Sequence, residues 1–289
     1  MFYNLDNITK VDLSNFESDQ VTSMRKMFFW CHSLESINLT NFNTDSVIDL
    51  SSMFDGCTSL SSIDLRGFNF SKVFDMSLMF YDCLSLKSID FTNLIAPLLL
   101  NITHIFQGCS NLRKIDFGIF NAPLLIDLNY MFYRCSSLVS IDLSNSYTPS
   151  ALYMAWMFEG CISLESVNLS NFKAEKCQFI DNTFNGCIKL RSIDFTNFYT
   201  SSITGMGNLF YKCESLQLLN LSSFDTSAVT NMGHMFGECI SLTSIIINKF
   251  SAKSALVTDY MFYNCSLLES IDLSSFDSSK LNNSKEVNE

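Results

Sequence analysis

Ten cysteines share one register, at positions 31, 57, 83, 109, 135, 161, 187, 213, 239 and 265, each 26 residues after the last. Thiols in that number invite metal, disulfide or redox chemistry. A metal site needs ligands converging on one point, whereas one thiol per repeat makes a line. A disulfide needs Cα atoms within about 7 Å, and the repeats are expected to sit farther apart than that on this side of the molecule. The remaining reading is a file of small buried hydrophobes. Cys177, which stands in the register of Val47, occupies another core slot. None of this fixes the redox compartment. His32, His104 and His234 have no carboxylate or nucleophile recurring at a useful spacing. No serine is marked as activated, and no glycine-rich phosphate loop occurs. The sequence therefore predicts no enzyme, no cofactor and no metal site.

A second column carries charge. It reads Asp12, Asn38, Asp64, Asp90, Asp116, Asp142, Asn168, Asp194, Asn220, Ile246 and Asp272. On adjacent strands about 4.8 Å apart, Asp64, Asp90, Asp116 and Asp142 would form a ladder of like charges. A cation or a basic partner would relieve it; a solvated row hydrogen-bonded to neighbouring Ser and Thr is the plainer alternative. Leu218 and Ile246, in adjacent repeats, break the polar pattern and make a small apolar island.

A third set of columns changes along the chain. Spaced i, i+4, i+7, it reads Ile48, Ser52, Asp55 early on. It then becomes Phe74, Leu78, Tyr81; Leu100, His104, Gln107; Ile126, Tyr130, Tyr133; and Leu152, Trp156, Glu159. Polar sets follow, such as Gln178, Asn182, Asn185. The repeat itself should treat every unit alike, so an apolar patch confined to four units points to an interface. The alternative is that adjoining loops such as 94–100, LIAPLLL, fold over and bury it.

All of these residues are held by one repeated unit. Met-Phe pairs open at Met1, Met27, Met53, Met79, Met131, Met157, Met235 and Met261, and Ile105, Thr183 and Leu209 fill the gaps in the same register. Eleven units of 26 make 286 residues with no insertion, so one domain, 1–286, and a tail, 287–289, are expected. Within a unit, Ile37 and Leu39 alternate with Ser36, Asn38 and Thr40, the period of a strand. Val47, Leu50, Met53, Phe54 and Cys57 fall at helical spacings, with Thr44 as N-cap. Pro97, Pro123 and Pro149 all stand at the first helical position that follows. Each coil is thus expected to be a short strand and a short helix, and stacked coils bury columns that no single coil can.

The strand pattern LxxIxLxxF resembles that of leucine-rich repeats, with Phe42 where Asn or Cys is usual. MFxxCxSLxSIDLSNF resembles the repeat of BspA-type leucine-rich repeat surface proteins, and LSSFDTSAVTNMGHMFGECISL, 221–242, is close to the form found in mycoplasma-like bacteria. The resemblance spans the chain. It implies an α/β right-handed solenoid of eleven coils and a surface-exposed adhesion or interaction protein that takes a protein or host-surface ligand.

The charge balance, 18 basic against 29 acidic residues, is −11 and disfavours a nucleic-acid partner. No uninterrupted apolar run is long enough to span a bilayer. MFYNLDNITK has no basic start followed by an apolar stretch, so no signal peptide is expected. Eight N-x-S/T sequons are weak support for secretion. The sequence thus predicts a non-enzymatic binding or adhesion module at the cell surface. The rival is a structural or self-associating scaffold, including one inside the cell.

Overall fold

The computed structural model describes residues 2–91 and 94–276. Met1 of the first Met-Phe pair and the expected tail 287–289 lie outside them. The chain winds as a β-solenoid with one coil per 26 residues. Strands such as Lys10–Asp12, Ser36–Asn38, Ser88–Asp90 and Lys114–Asp116 pair in parallel with the strand one repeat away, Lys10 opposite Ser36 and Ser88 opposite Lys114. Their central residue points inward and their outer two face solvent, as the period-two pattern requires.

The strands are short because the third residue ends them. Asp12 Oδ1 accepts the Ser14 N–H at 2.9 Å, and Asn38, Asp64, Asp116, Asp142, Asn168, Asp194, Asn220 and Asp272 repeat that bond two residues on. A side chain that takes the backbone donor turns the chain out of the ladder. Asn69 and Asn101 cap other turns in the same way. Five of the sequon asparagines are therefore turn caps followed by Ser or Thr, which accounts for the pattern without secretion.

The other half of each coil overturns the expectation of a helix: there is none among the described residues, and the fold is all-β rather than α/β. The backbone there alternates two kinds of hydrogen bond. N–H groups of Met76, Leu78, Phe80 and Asp82 donate to carbonyls of Asn101, Thr103, Ile105 and Gln107 in the next coil, at 2.8–3.0 Å. Those of Met79, Tyr81 and Cys83 donate three residues back, closing tandem β-turns. Two residues per coil accordingly have positive φ, Leu78 at 57° and Asp82 at 52°, Tyr130 at 59° and Arg134 at 58°. The apolar steps Val73, Met76, Met79, Phe80, Cys83 and Leu86 suit three-residue turns as well as they suit a 3.6-residue helix. Coil-to-coil bonding decides between them, because a two-turn helix would leave its terminal donors and acceptors unpaired. The prolines fit the turns equally well. Leu99 N–H reaches the Ala96 carbonyl at 3.1 Å, which puts Pro97 at the second turn position, where its fixed φ is wanted. Pro123 and Pro149 repeat this, and Thr44 opens such a turn rather than capping a helix.

The core is a stack of identical layers. Phe2, Phe28, Phe54 and their successors to Phe262 form one file of parallel rings with centroids 5.1–5.7 Å apart. Those from Phe28 to Phe236 are fully buried, and each contributes about 1.5–3 kcal/mol. The coils are therefore as close on this side as on the strand side, contrary to the wider spacing expected around the cysteines. The cysteines are free. In the 26-residue register each thiol from Cys57 to Cys265 donates to the Phe carbonyl 29 residues earlier at 3.0–3.2 Å, whereas Cys177, outside that register, donates to the Phe179 carbonyl at 3.7 Å. Burial pushes the Cys83 and Cys135 thiols well above their ordinary pKa, which keeps them from acting as nucleophiles.

Candidate partner-binding surface

Where the chain passes from the first turn of a coil toward the tandem turns, it forms a ladder on the outside of the solenoid. Phe74 N–H bonds to the Ile48 carbonyl, Leu100 to Phe74, Ile126 to Leu100 and Leu152 to Ile126. Successive side chains of extended backbone point to opposite sides. Val73, Leu99 and Leu125 therefore go into the core while Phe74, Leu100 and Ile126 go out. Ile48, Phe74, Leu100 and Ile126 are each 40–43% exposed and Leu152 is half-buried, so five adjacent coils carry one apolar stripe. The segment 94–100 does not fold over it. Within that segment Leu98, like Leu124 one coil on, sits at the third position of a β-turn and is itself exposed, at 49% and 46%.

Beside the stripe runs a row of half-buried rings. His104 stacks on Tyr130 at 4.6 Å and Tyr130 on Trp156 at 4.9 Å, with Tyr133 edge-on to Tyr130 at 5.5 Å and Arg134 over the Tyr133 ring. All three stacked residues sit at positive φ, 57–59°, which an L side chain adopts at a cost. Leu78 and Tyr81 continue the row in the preceding coil, half-buried, and Tyr81 accepts from Gln107. Beyond Trp156 the ring file ends at Asn182. There Glu159 has one carboxylate oxygen buried without a hydrogen-bond partner, and burial raises its pKa.

Carboxylates line the stripe. Asp49, Asp75 and Asp127 each accept the N–H two residues on, at 2.8–2.9 Å. The coils at Tyr153 and Phe179 lack this cap, and these two rings stack at 5.7 Å instead. Asn129, from the preceding coil, supplies the missing bond to the Ala155 N–H at 2.7 Å. The turn thus survives an aromatic substitution that it does not itself require.

The strand face is different. Asp90 is paired in register with Asp116, but residues 61–65 around Asp64 carry no strand, and no sheet joins Lys114–Asp116 to Ser140–Asp142. Asp64, Asp90 and Asp116 nevertheless stand together along one depression of this face. The row also brings its own cations. Arg66 holds Asp64 through two bonds of 2.9 and 2.7 Å, and Lys114 lies 3.9 Å from Asp116. The Arg66 side chain, then its backbone N–H, holds the Asp64 carboxyl down to about 2. A shallow depression of about 400 Å³ covers this stretch. Leu218 and Ile246 are 67% and 45% exposed on one face of two paired strands.

Stacked parallel coils of this length and register define a repeat protein of the leucine-rich-repeat-like solenoid class. The chain belongs to the family described as Mycoplasma protein of unknown function, DUF285, whose model matches residues 1–95, 100–217 and 178–289. No curated protein matches it. Among solved structures it is similar to a leucine-rich repeat protein of Bacteroides ovatus, at 20% identity over 91% of this chain and 74% of that one, TM-score 0.46. It is also similar to the leucine-rich repeat protein of T. pallidum, at 17% over 68% and 78%, TM-score 0.43. A leucine-rich cell surface protein of Faecalibacterium prausnitzii matches at 15% over 94% and 84%, TM-score 0.41. No helix among the described residues is long and apolar enough to cross a membrane.

Proposed function

We propose that the chain is a non-catalytic protein-binding module whose anchor is the outer face from Phe74 to Trp156. One observation carries this. The stripe is apolar and solvent-facing in five adjacent coils, while the same column in the next three is Gln178, Thr204 and Thr230 on the same backbone ladder, before a single exposed Leu256 beside the His234–Tyr260 stack. The fold does not need apolar side chains there, and contiguous exposed apolar surface marks contact sites. The BspA-type resemblance extends the reading to adhesion at a cell surface. Leu218 and Ile246 offer a second, smaller contact on the strand face.

The test is retention of a partner from producing cells by immobilised wild type, by Tyr130→Asp/Trp156→Asp and by Leu218→Asp/Ile246→Asp. Loss in the first variant alone supports the outer face; equal retention by all three overturns it. Sedimentation of the same proteins separates the rival, since self-association abolished by Tyr130→Asp/Trp156→Asp would make the partner a second copy.

A further inference from the structure

We infer that the outer stripe takes a basic amphipathic helix lying along the solenoid axis. The inference rests on the outer-face reading above and names the partner's chemistry. Three features of the stripe lead to it.

The first is the backbone. Both the N–H and the carbonyl of Phe74, Leu100 and Ile126 are spent on neighbouring coils. The stripe therefore offers side chains only, and a partner cannot add to it as a strand.

The second is the axial repeat. Rings of successive coils lie 4.6 and 4.9 Å apart in the outer row and 5.1–5.7 Å apart in the core file. A helix advances about 5.4 Å per turn, whereas one face of a strand presents a side chain every ~6.7 Å. A helix with apolar residues at i, i+4, i+7 and i+11 thus sets one side chain against each coil. Four steps from Ile48 to Leu152 correspond to about 14 helical residues.

The third is charge. Asp49, Asp75 and Asp127 flank the stripe one residue along from Ile48, Phe74 and Ile126, Asp49 already 4.0 Å from Arg25, while Lys72, Leu98 and Leu124 precede the stripe residues by two. The whole chain is at −11. Lys or Arg on the side of the helix that faces Asp75 and Asp127 complements this rim.

The test uses the intact chain and fluorescein-labelled synthetic peptides of 18 residues, read by anisotropy. One carries Leu at the helical spacing with Lys flanks, one has Glu in place of Lys, one scrambles the Lys peptide, and one alternates Leu and Lys to favour a strand. The Lys helix should bind at least about tenfold tighter than the other three and weaken as salt rises. It should lose at least about tenfold on Leu100→Asp/Ile126→Asp and be unchanged on Thr204→Asp/Thr230→Asp, which alters the same columns elsewhere. Equal binding of the Glu, scrambled or alternating peptide overturns the inference. So does indifference to Leu100→Asp/Ile126→Asp. Binding of none of the peptides also overturns it; if Tyr130→Asp/Trp156→Asp still abolishes partner retention, the outer-face reading stands without the helix.

Discussion

The outer faces of two sets of coils can be compared almost atom for atom in their backbone. Leu100 and Ile126 bond to the preceding coil at 2.9 and 3.3 Å, and Thr204 and Thr230 do so at 2.8 Å. Both sets place two positive-φ residues in the tandem turns, His104 with Gly108 and Asn208 with Lys212. Both bury the same Phe and Cys columns. What differs is what faces water in the ladder column: Leu100 and Ile126 in one set, Thr204 and Thr230 in the other, whereas rings stand beside both, His104 on Tyr130 in the first and His234 on Tyr260 in the second. The ladder is indifferent to that choice. Side chains that the architecture does not constrain are where function is written.

The largest expected effect tests whether the two regions share one core. Phe132→Ala and Phe210→Ala remove fully buried rings from the same file, and each should cost about 3–5 kcal/mol in denaturant unfolding. A negligible cost for either would break the stacked-layer model. A difference beyond about 2 kcal/mol would show that the coils are not equivalent.

Next come the turns. Gly108 has φ 76°, and an added Cβ would lie 1.9 Å from Asp82 Oδ1. Gly186 has φ 71° with nothing nearer than 3.8 Å. Gly186→Ala should cost about 1 kcal/mol for the left-handed backbone, and Gly108→Ala more, because Asp82 must move as well. Equal costs would mean that Asp82 is free to swing away.

A smaller effect separates the regions by pH. Burial, opposed by the Ser52 hydrogen bond and reinforced by Asp82, raises the Asp55 carboxyl from 3.8 to about 6. Between those values the folded chain holds a proton that the unfolded chain has lost. The Asp55 contribution to stability therefore falls as pH rises through that window and is fully lost above about 6. Asp55→Asn should stabilise the protein at pH 7 by on the order of 1 kcal/mol and leave melting nearly unchanged at pH 4. Equal gains at both pH values would contradict this.

Much of this architecture was legible in the residues. The register of 26, the Phe and Leu columns and the inward cysteines follow from counting, because a repeat that is buried must repeat its apolar positions. The helix was misread because steps of three satisfy two backbones at once. The evidence against it was present in Gly56, Gly108, Gly160 and Gly186, one column of glycines that a helix interior would disfavour and a left-handed turn position favours. The same misreading hid part of the candidate surface. Leu98 and Leu124 are exposed because each is the third residue of a β-turn that precedes the ladder, a position a helix reading does not single out. The pairing of the Asp row with its own cations was not legible, because Arg66 and Lys114 stand two residues from Asp64 and Asp116 and only the folded turn and strand direct them onto those carboxylates.

The outer-face account is tested most directly by matched variants assayed for partner retention from producing cells. Leu100→Asp/Ile126→Asp and Thr204→Asp/Thr230→Asp make the same chemical change in the same columns of the two regions. The account predicts that only the first loses the partner, with both variants melting close to the wild type. Loss in both, or in neither, would contradict it and return the outer stripe to a variation that the fold merely tolerates.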